Sequence, residues 1–333
     1  MKSPVAIVGA GYMGGGMAQL FALAGHETFL ADIDLATATR GRERLIEETE
    51  QFEQDELFAP GSAQLVAENV RAARSIEGAV ERASYVAEVV PENLGIKAAA
   101  LGRIGRSAAD ATIIGSNTSA IPIGELAAFV RLPERFLGVH WMNPAPFVPG
   151  VELIPVAETD PKVIAAVEAL IAGLGKTTSR VSDSAGFVAN RLQFALFREA
   201  ALLAEDGVAS RAEIDRVVSN SFGFRLPFFG PFDIADMAGL DVYSGAYTTL
   251  EKTFGERFSA PDSLTEAVTA GKLGVKTGEG YSQYSPKMIA EMTRYRNRAY
   301  VELERLRRKL GPAPQYRVSS ESTAPQRVEA NPK

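Results

Sequence analysis

Two histidines and no cysteine in 333 residues leave few side chains able to take a proton near neutral pH, and they exclude a thiolate nucleophile, a disulfide framework and a cysteine metal site. His26 lies in Ala24-Gly25-His26-Glu27 and reads as an exposed turn residue. His140 stands elsewhere, at the end of the apolar run Phe136 to His140. It is followed by Trp141-Met142-Asn143-Pro144, a proline-rich turn, and the run Val151-Glu152-Leu153-Ile154. An acid inside an apolar strand, one hairpin from a histidine, can hold an imidazole in one tautomer and stabilise its cation. His140 and Glu152 are therefore a candidate general-base dyad, suited to removing a hydroxyl proton while hydride leaves the adjoining carbon. The competing readings are a structural histidine and an outward-facing edge glutamate.

A hydride needs an acceptor, and the N-terminus offers a place for one. Gly9-Ala10-Gly11-Tyr12-Met13-Gly14 follows an apolar strand and opens a helix. In that context Gly9 makes the tight turn, Gly11 admits a pyrophosphate to the backbone, and Gly14 lets helix and strand pack closely, with Tyr12 and Met13 in the first turn. Asp32 follows the second strand about twenty residues later, where a carboxylate accepts ribose hydroxyls and repels a 2′-phosphate. NAD is predicted rather than NADP.

These residues need a sheet to carry them. From Val5 to His140 short apolar runs (VAIVG, TFLAD, YVAEVV, TIIGS, FLGVH) alternate with helical stretches, the pattern of βαβ units on a parallel sheet. A strand at Val151 to Val156, a helix from about Pro161 to Leu174 and a strand near Thr177 to Val181 complete an α/β, Rossmann-type doubly wound domain over residues 1–183. Amphipathic patterns at Phe187 to Asp206, Arg211 to Phe222 and Ile234 to Phe254 then predict a mostly α-helical domain over 184–310, closed by a helix at 286–310. Residues 311–333, rich in Pro, Ser and Gln, read as a disordered tail. From 286 onward eleven Lys or Arg face five Asp or Glu, read as a solvated helix face rather than a binding tail.

The net charge of −6 and pI near 5.3 argue against nucleic acid. No apolar stretch has signal-peptide or membrane-spanning length, so a cytoplasmic protein without a membrane partner is expected. The run Phe222 to Phe232 (FGFRLPFFGPF) is more apolar than a small helical domain readily buries alone, and predicts a homodimer through the second domain.

Taken together, Gly9 to Gly16, Pro91-Glu92-Asn93-Leu94, Ser116-Asn117-Thr118-Ser119, Gly138 to Pro144, Val151-Glu152-Leu153, Gly186 to Arg191, Gly230-Pro231-Phe232 and Lys276 to Tyr281 resemble the L-3-hydroxyacyl-CoA dehydrogenase family, up to about Tyr284. The resemblance implies NAD-dependent oxidation of a 3-hydroxyacyl substrate in fatty acid metabolism, with His140 as base and Glu152 as its partner. It further implies that Ser119 bonds the substrate hydroxyl, that Asn190 helps bind substrate, and that Glu92, Lys97, Ser119 and Asn143 contact NAD. Read alone, Ser119 and Asn190 would be a turn and a helix-cap residue.

Other features resemble the lambda-crystallin or L-gulonate 3-dehydrogenase branch: Ala185 before Gly186-Phe187, the run Asn190-Arg191-Leu192-Gln193 and an arginine-rich C-terminal helix. A CoA ester also needs basic groups for its phosphates. Yet Glu43 to Glu56 holds seven acids against one arginine, Arg44, leaving Arg40, Arg42 and Arg44 as the cations within reach. Three substrate readings stay open: a 3-hydroxyacyl-CoA, a free 3-hydroxy acid of the L-gulonate or carnitine type, and a non-catalytic, crystallin-like dinucleotide-binding protein. The 3-hydroxyisobutyrate type, which uses a lysine early in its second domain, is disfavoured because Phe187 to Asp206 contains none.

Overall fold

The computed structural model describes residues 2–316. Residues 317–333, which hold most of the expected disordered tail, lie outside the described residues; 311–316 end in a short 3-10 turn, Pro314–Tyr316.

The first part of the chain runs β1 (Lys2–Val8), α1 (Tyr12–Leu23), β2 (His26–Ala31), α2 (Leu35–Gln54), α3 (Ser62–Asn69), β3 (Val70–Ala72), α4 (Ile76–Val80), β4 (Tyr85–Glu88), α5 (Leu94–Ser107), β5 (Ile113–Ser116), α6 (Ile123–Ala127), β6 (Phe136–Trp141), β7 (Gly150–Pro155), α7 (Pro161–Ala172) and β8 (Thr177–Arg180). The eight strands form one sheet in the order β3-β2-β1-β4-β5-β6-β7-β8. Every pairing is parallel except that of β6 with β7. Strand order reverses between β1 and β4, which opens a crevice at the carboxyl ends of the strands.

Alternation along β1 shows how the sequence builds two layers. Val5 and Ile7 face a core with Phe21 of α1, Leu45 of α2 and Val167 of α7, whereas Ala6 and Val8 face a second core with Leu101 and Ile104 of α5 and Leu126 of α6. Caps define where helices begin. Asp34 accepts from the Thr37 amide (2.7 Å) ahead of α2, and Asn93 from that of Ile96 (3.1 Å) ahead of α5.

The chain divides into two compact units between Glu199 and Ala200. Beyond β8 come α8 (Ala189–Glu205), α9 (Arg211–Asn220), α10 (Pro231–Ala238), α11 (Leu240–Phe254), α12 (Asp262–Thr269) and α13 (Pro286–Leu310). The second unit's apolar cluster is small: Ala235, Leu240 and Leu264, with Tyr243, Tyr247 and Tyr281 packed against them. No helix among the described residues is long and apolar enough to cross a membrane.

One strand is new and two expectations change. The short strand β3 has too few residues to show periodicity, and it adds itself to the edge beside β2. The single pattern Ile234 to Phe254 is two helices, broken at Gly239, whose φ of +104° no helix tolerates. His26 is not an exposed turn residue. It starts β2, is buried, donates from Nδ1 to the Ser3 carbonyl (2.8 Å) and packs edge-on against Phe21.

Candidate active site

The glycine-rich turn is built for close approach. Gly9 has a φ of +118° and donates to the Ala31 carbonyl (2.8 Å), and a Cβ there would overlap the Val89 carbonyl. A Cβ on Gly14 would overlap the Gly9 carbonyl oxygen, so helix α1 rests directly on the turn. Gly11 is the opposite case: a Cβ there meets nothing within 4 Å. It precedes a helix that has no side-chain cap, leaving amide donors open to an anion. Tyr12 is exposed beside it, while Met13 is half-buried against the first core.

Asp32 ties the turn to the second strand by accepting from the Ala10 amide (2.6 Å) and the Ile33 amide (2.7 Å). A cavity of about 460 Å³ opens beside it, lined by Val8, Gly9, Asp32, Ile33, Val90 and Arg103 among others. Turn, open amides, carboxylate and apolar cavity fit a dinucleotide.

The dyad forms at the other end of the crevice. His140 on β6 is paired in register with Glu152 on β7, so the two side chains share a face of the sheet. Imidazole Nδ1 lies 2.8 Å from Glu152 Oε2, and both residues are buried. Glu152 Oε1 accepts from the amides of Val188 (3.0 Å) and Ala189 (2.9 Å) where α8 begins. With both oxygens used as acceptors, the proton of the pair is assigned to Nδ1, and Nε2 carries the free lone pair. Phe187 (φ 49°) packs against the imidazole, with ring centroids 5.5 Å apart.

The loop after β5 completes the ring of contacts. Asn117 Oδ1 accepts from the Trp141 amide (2.8 Å), which sets this loop beside His140. Asn190 Nδ2 donates to the Ser119 carbonyl (2.9 Å), and the Ser119 hydroxyl has no partner among the described residues. Glu92 Oε1 accepts from the Thr118 hydroxyl (2.6 Å) and from the amides of Ser119 (2.9 Å) and Ala120 (2.9 Å). Burial pushes the Glu92 carboxyl up, but Thr118, the Ala120 amide, Lys97 and the Ser119 amide together hold it below the ordinary carboxylate value.

Lys97 is almost completely buried. Its ammonium donates to Glu88 Oε1 (2.9 Å) and the Val90 carbonyl (3.1 Å), and lies 3.5 Å from Glu92 Oε2, so it stands as a support beneath Glu92. Asn143 is exposed and precedes the cis peptide to Pro144.

Sequence reasoning missed Glu88, which is fully buried and also accepts from the Ser116 hydroxyl (2.5 Å) and the Val90 amide (2.9 Å). The signal was present: an acid within Tyr85-Val86-Ala87-Glu88-Val89-Val90 is as anomalous as Glu152 in its strand. The three arginines of α2 also receive places. Arg42 binds the carbonyls of Val70 (2.7 Å) and Ala67 (2.7 Å), and Arg44 binds the Ala10 carbonyl (2.8 Å) and Glu48 (3.4 Å). Arg40, bonded to the Thr37 hydroxyl (2.9 Å), is exposed, and the Arg44 side chain also stays 43% exposed.

Comparison with known proteins gives the chain's relatives. The pattern of the 3-hydroxyacyl-CoA dehydrogenase NAD binding domain matches residues 4–184, and that of the C-terminal domain of the same enzymes matches 186–284. A 5-formyl-3-hydroxy-2-methylpyridine 4-carboxylate 5-dehydrogenase of Mesorhizobium japonicum is 35% identical over 91% of this chain and 97% of its own. A probable 3-hydroxybutyryl-CoA dehydrogenase of Bacillus subtilis is 33% identical over 85% of this chain and 98% of its own. The crystal structure of a 3-hydroxyacyl-CoA dehydrogenase from Archaeoglobus fulgidus superposes with a TM-score of 0.75 at 33% identity, covering 93% of this chain and 99% of that one.

Proposed function

The chain belongs to the 3-hydroxyacyl-CoA dehydrogenase family and is an NAD-dependent dehydrogenase of 3-hydroxyacyl substrates, and from that premise we propose that His140 is its general base. NAD, when bound, supplies the hydride acceptor. Gly9, Gly11, Tyr12, Met13, Gly14 and Asp32 hold its adenosine and pyrophosphate end, with Glu92, Ser119 and Asn143 serving the other end and the buried Lys97 acting only through Glu92. His140 Nε2 takes the proton of the 3-hydroxyl, and Glu152 keeps the Nδ1 proton in place and balances the imidazolium that results. The Ser119 hydroxyl and the Asn190 amide are donors for the reacting oxygen. The observation that carries this reading is Glu152, whose Oε2 faces His140 Nδ1 at 2.8 Å while its Oε1 takes two backbone amides. Steady-state formation of reduced cofactor from a 3-hydroxyacyl thioester, by wild type and by His140→Ala, tests it. Turnover that survives the substitution points to another base.

The carrier of the acyl group is a separate matter. Arg42 is held by two backbone carbonyls and Arg44 by the Ala10 carbonyl and Glu48, and the acidic stretch Glu43 to Glu56 surrounds Arg40 and the exposed part of Arg44, which supports weak recognition of the CoA phosphates at α2. A free acid or a differently carried acyl group is then the better substrate. The Mesorhizobium relative, named for a pyridine carboxylate, favours this second reading. The test sets a 3-hydroxyacyl-CoA against its truncated pantetheine thioester and the free 3-hydroxy acid. A much higher kcat/KM for the full ester, abolished by Arg40→Ala, rejects it.

The reading extends to a substrate and dimerisation domain over 184–310, to a homodimer, and to a cytoplasmic role in fatty acid metabolism. Helix α8 buries none of its residues although it carries Phe194 and Phe197, three positions apart on one side and 62% and 68% exposed, and a second copy of the chain is the occupant that suits so apolar a face. A monomer at micromolar concentration in sedimentation overturns the dimer.

A further inference from the structure

Lys176 lies between α7 and β8, is only 7% exposed and forms no salt bridge with any described residue. Its ammonium donates to the carbonyls of Ala145 (2.7 Å), Pro146 (3.0 Å) and Val148 (2.8 Å). Three donors meet three acceptors, and all three acceptors sit on one segment, residues 142–149, which joins the strand of His140 to the strand of Glu152.

That segment cannot satisfy itself. Pro144, Pro146 and Pro149 have no N–H to offer. Pro144 O takes the amides of Phe147 (3.1 Å) and Val148 (3.1 Å), and Pro149 O takes that of Thr177 (2.8 Å), which leaves the carbonyls of Ala145, Pro146 and Val148 to Lys176. Among the described residues the segment also packs Ala145 and Pro146 against Gly16 of α1, and the Phe147 ring against Phe52 (5.0 Å) and Phe58 (5.9 Å).

The position of this segment matters because burial of β6 and β7 favours one register, while the tight two-residue turn that would also fix how their ends meet is replaced by the connection 142–149. A slip of one residue between β6 and β7 would turn His140 and Glu152 to opposite faces of the sheet. We propose that Lys176 is a positioning residue for the His140–Glu152 base: by gathering three carbonyls of the 142–149 connection it holds β6 and β7 in the register that sets the 2.8 Å contact. Burial pushes its ammonium below the ordinary lysine value, and no carboxylate offsets this. An apolar residue would avoid that cost but leave three carbonyls without donors.

The inference rests on the reading of His140 as base, and the chain carries its own reporter for separating the two. Its single tryptophan, Trp141, is buried between His140 and the connection. Lys176→Met and Lys176→Arg are compared with wild type by thermal unfolding, by kcat and KM for NAD and substrate, and by acrylamide quenching of Trp141 emission. A folded Lys176→Met is expected to lose about tenfold to 10²-fold in kcat, as small misplacements of reacting groups do, with KM for NAD nearly unchanged and Trp141 more readily quenched. Lys176→Arg, which keeps charge and donors but not the three-pronged geometry, recovers part of both. Either folded variant with wild-type kcat and wild-type quenching overturns the proposal, and if Lys176→Met does not fold, Lys176→Arg decides by the same measures. A wild-type enzyme inactive on every 3-hydroxyacyl substrate would remove the base reading, while the quenching comparison would still test what Lys176 holds.

Discussion

Each of the two units contains a buried carboxylate held by two backbone amides and one side-chain donor. In the first, Glu152 accepts two backbone amides and the imidazole of His140. In the second, Asp236 on α10 accepts the amides of Tyr281 (3.0 Å) and Ser282 (3.1 Å) and the hydroxyl of Tyr284 (2.7 Å). The difference is the side-chain donor. An imidazole that gives Nδ1–H to a carboxylate still has Nε2 for a substrate proton, whereas a phenol has one proton and nothing left to exchange. Burial, and then the hydrogen bond to Asp236, push the Tyr284 hydroxyl up to about 12, so it stays a donor at any ordinary pH. A Cβ on Gly280 would overlap the Asp236 carboxylate, and the Asp236 carbonyl binds the Val275 amide (3.0 Å). Asp236 thus staples the Lys276-Thr277-Gly278-Glu279-Gly280-Tyr281 segment. Two backbone amides and one side-chain donor hold both carboxylates, and under the proposed function what separates a catalytic carboxylate from an architectural one is whether its side-chain partner keeps a free titrating atom.

Removing that atom should give the largest effect. His140→Ala is expected to lower kcat about 10²–10⁴-fold with the KM for NAD nearly unchanged, measured by steady-state formation of reduced cofactor. Glu152→Gln comes next. Its carboxamide oxygen must keep facing the Val188 and Ala189 amides, so its NH₂ turns to Nδ1 and forces the proton onto Nε2, the wrong tautomer for a base. A loss of about 10²-fold or more in kcat, with the melting temperature little changed, is the expected result.

The same exchange in the second unit should reverse the pattern. Asp236→Asn leaves one of its donors facing another donor, so unfolding free energy should fall by about 1–3 kcal/mol in a denaturant titration while kcat per folded molecule is retained. A variant with normal stability and lost turnover would erase the distinction between the two carboxylates.

The smallest change is Tyr284→Phe, which removes a single hydrogen bond worth about 1 kcal/mol. It also has a pH signature. A folded-state value of about 12 lies above the ordinary 10.0, so the folded chain holds a proton that the unfolded chain has lost. Stability from this group is complete below pH 10 and falls as pH rises from there to about 12. Unfolding of Tyr284→Phe should depend less steeply on pH across that window.

The glycine-rich turn, Asp32 and the alternation of strand and helix were legible in the sequence because they are local: the spacing of glycines after an apolar run and the period of apolar residues are properties of neighbours. An acid placed in an apolar strand near His140 also marked Glu152 before any contact was known. Tertiary structure alone decided the rest, since hydrogen-bond partners are chosen by approach in space. Lys176 reads as an unremarkable lysine after a helix, yet its three acceptors lie 28 to 31 positions away. Arg42 and Arg44 look free in an acidic helix, and only the packed turn and α3 reveal that each is already held by backbone carbonyls. His26 has the neighbours of a turn and the burial of a core residue, because β1 lies alongside it and supplies the Ser3 carbonyl. Sequence determined which groups were present and where strand gives way to helix; the fold determined which of those groups were already occupied and which kept a free lone pair.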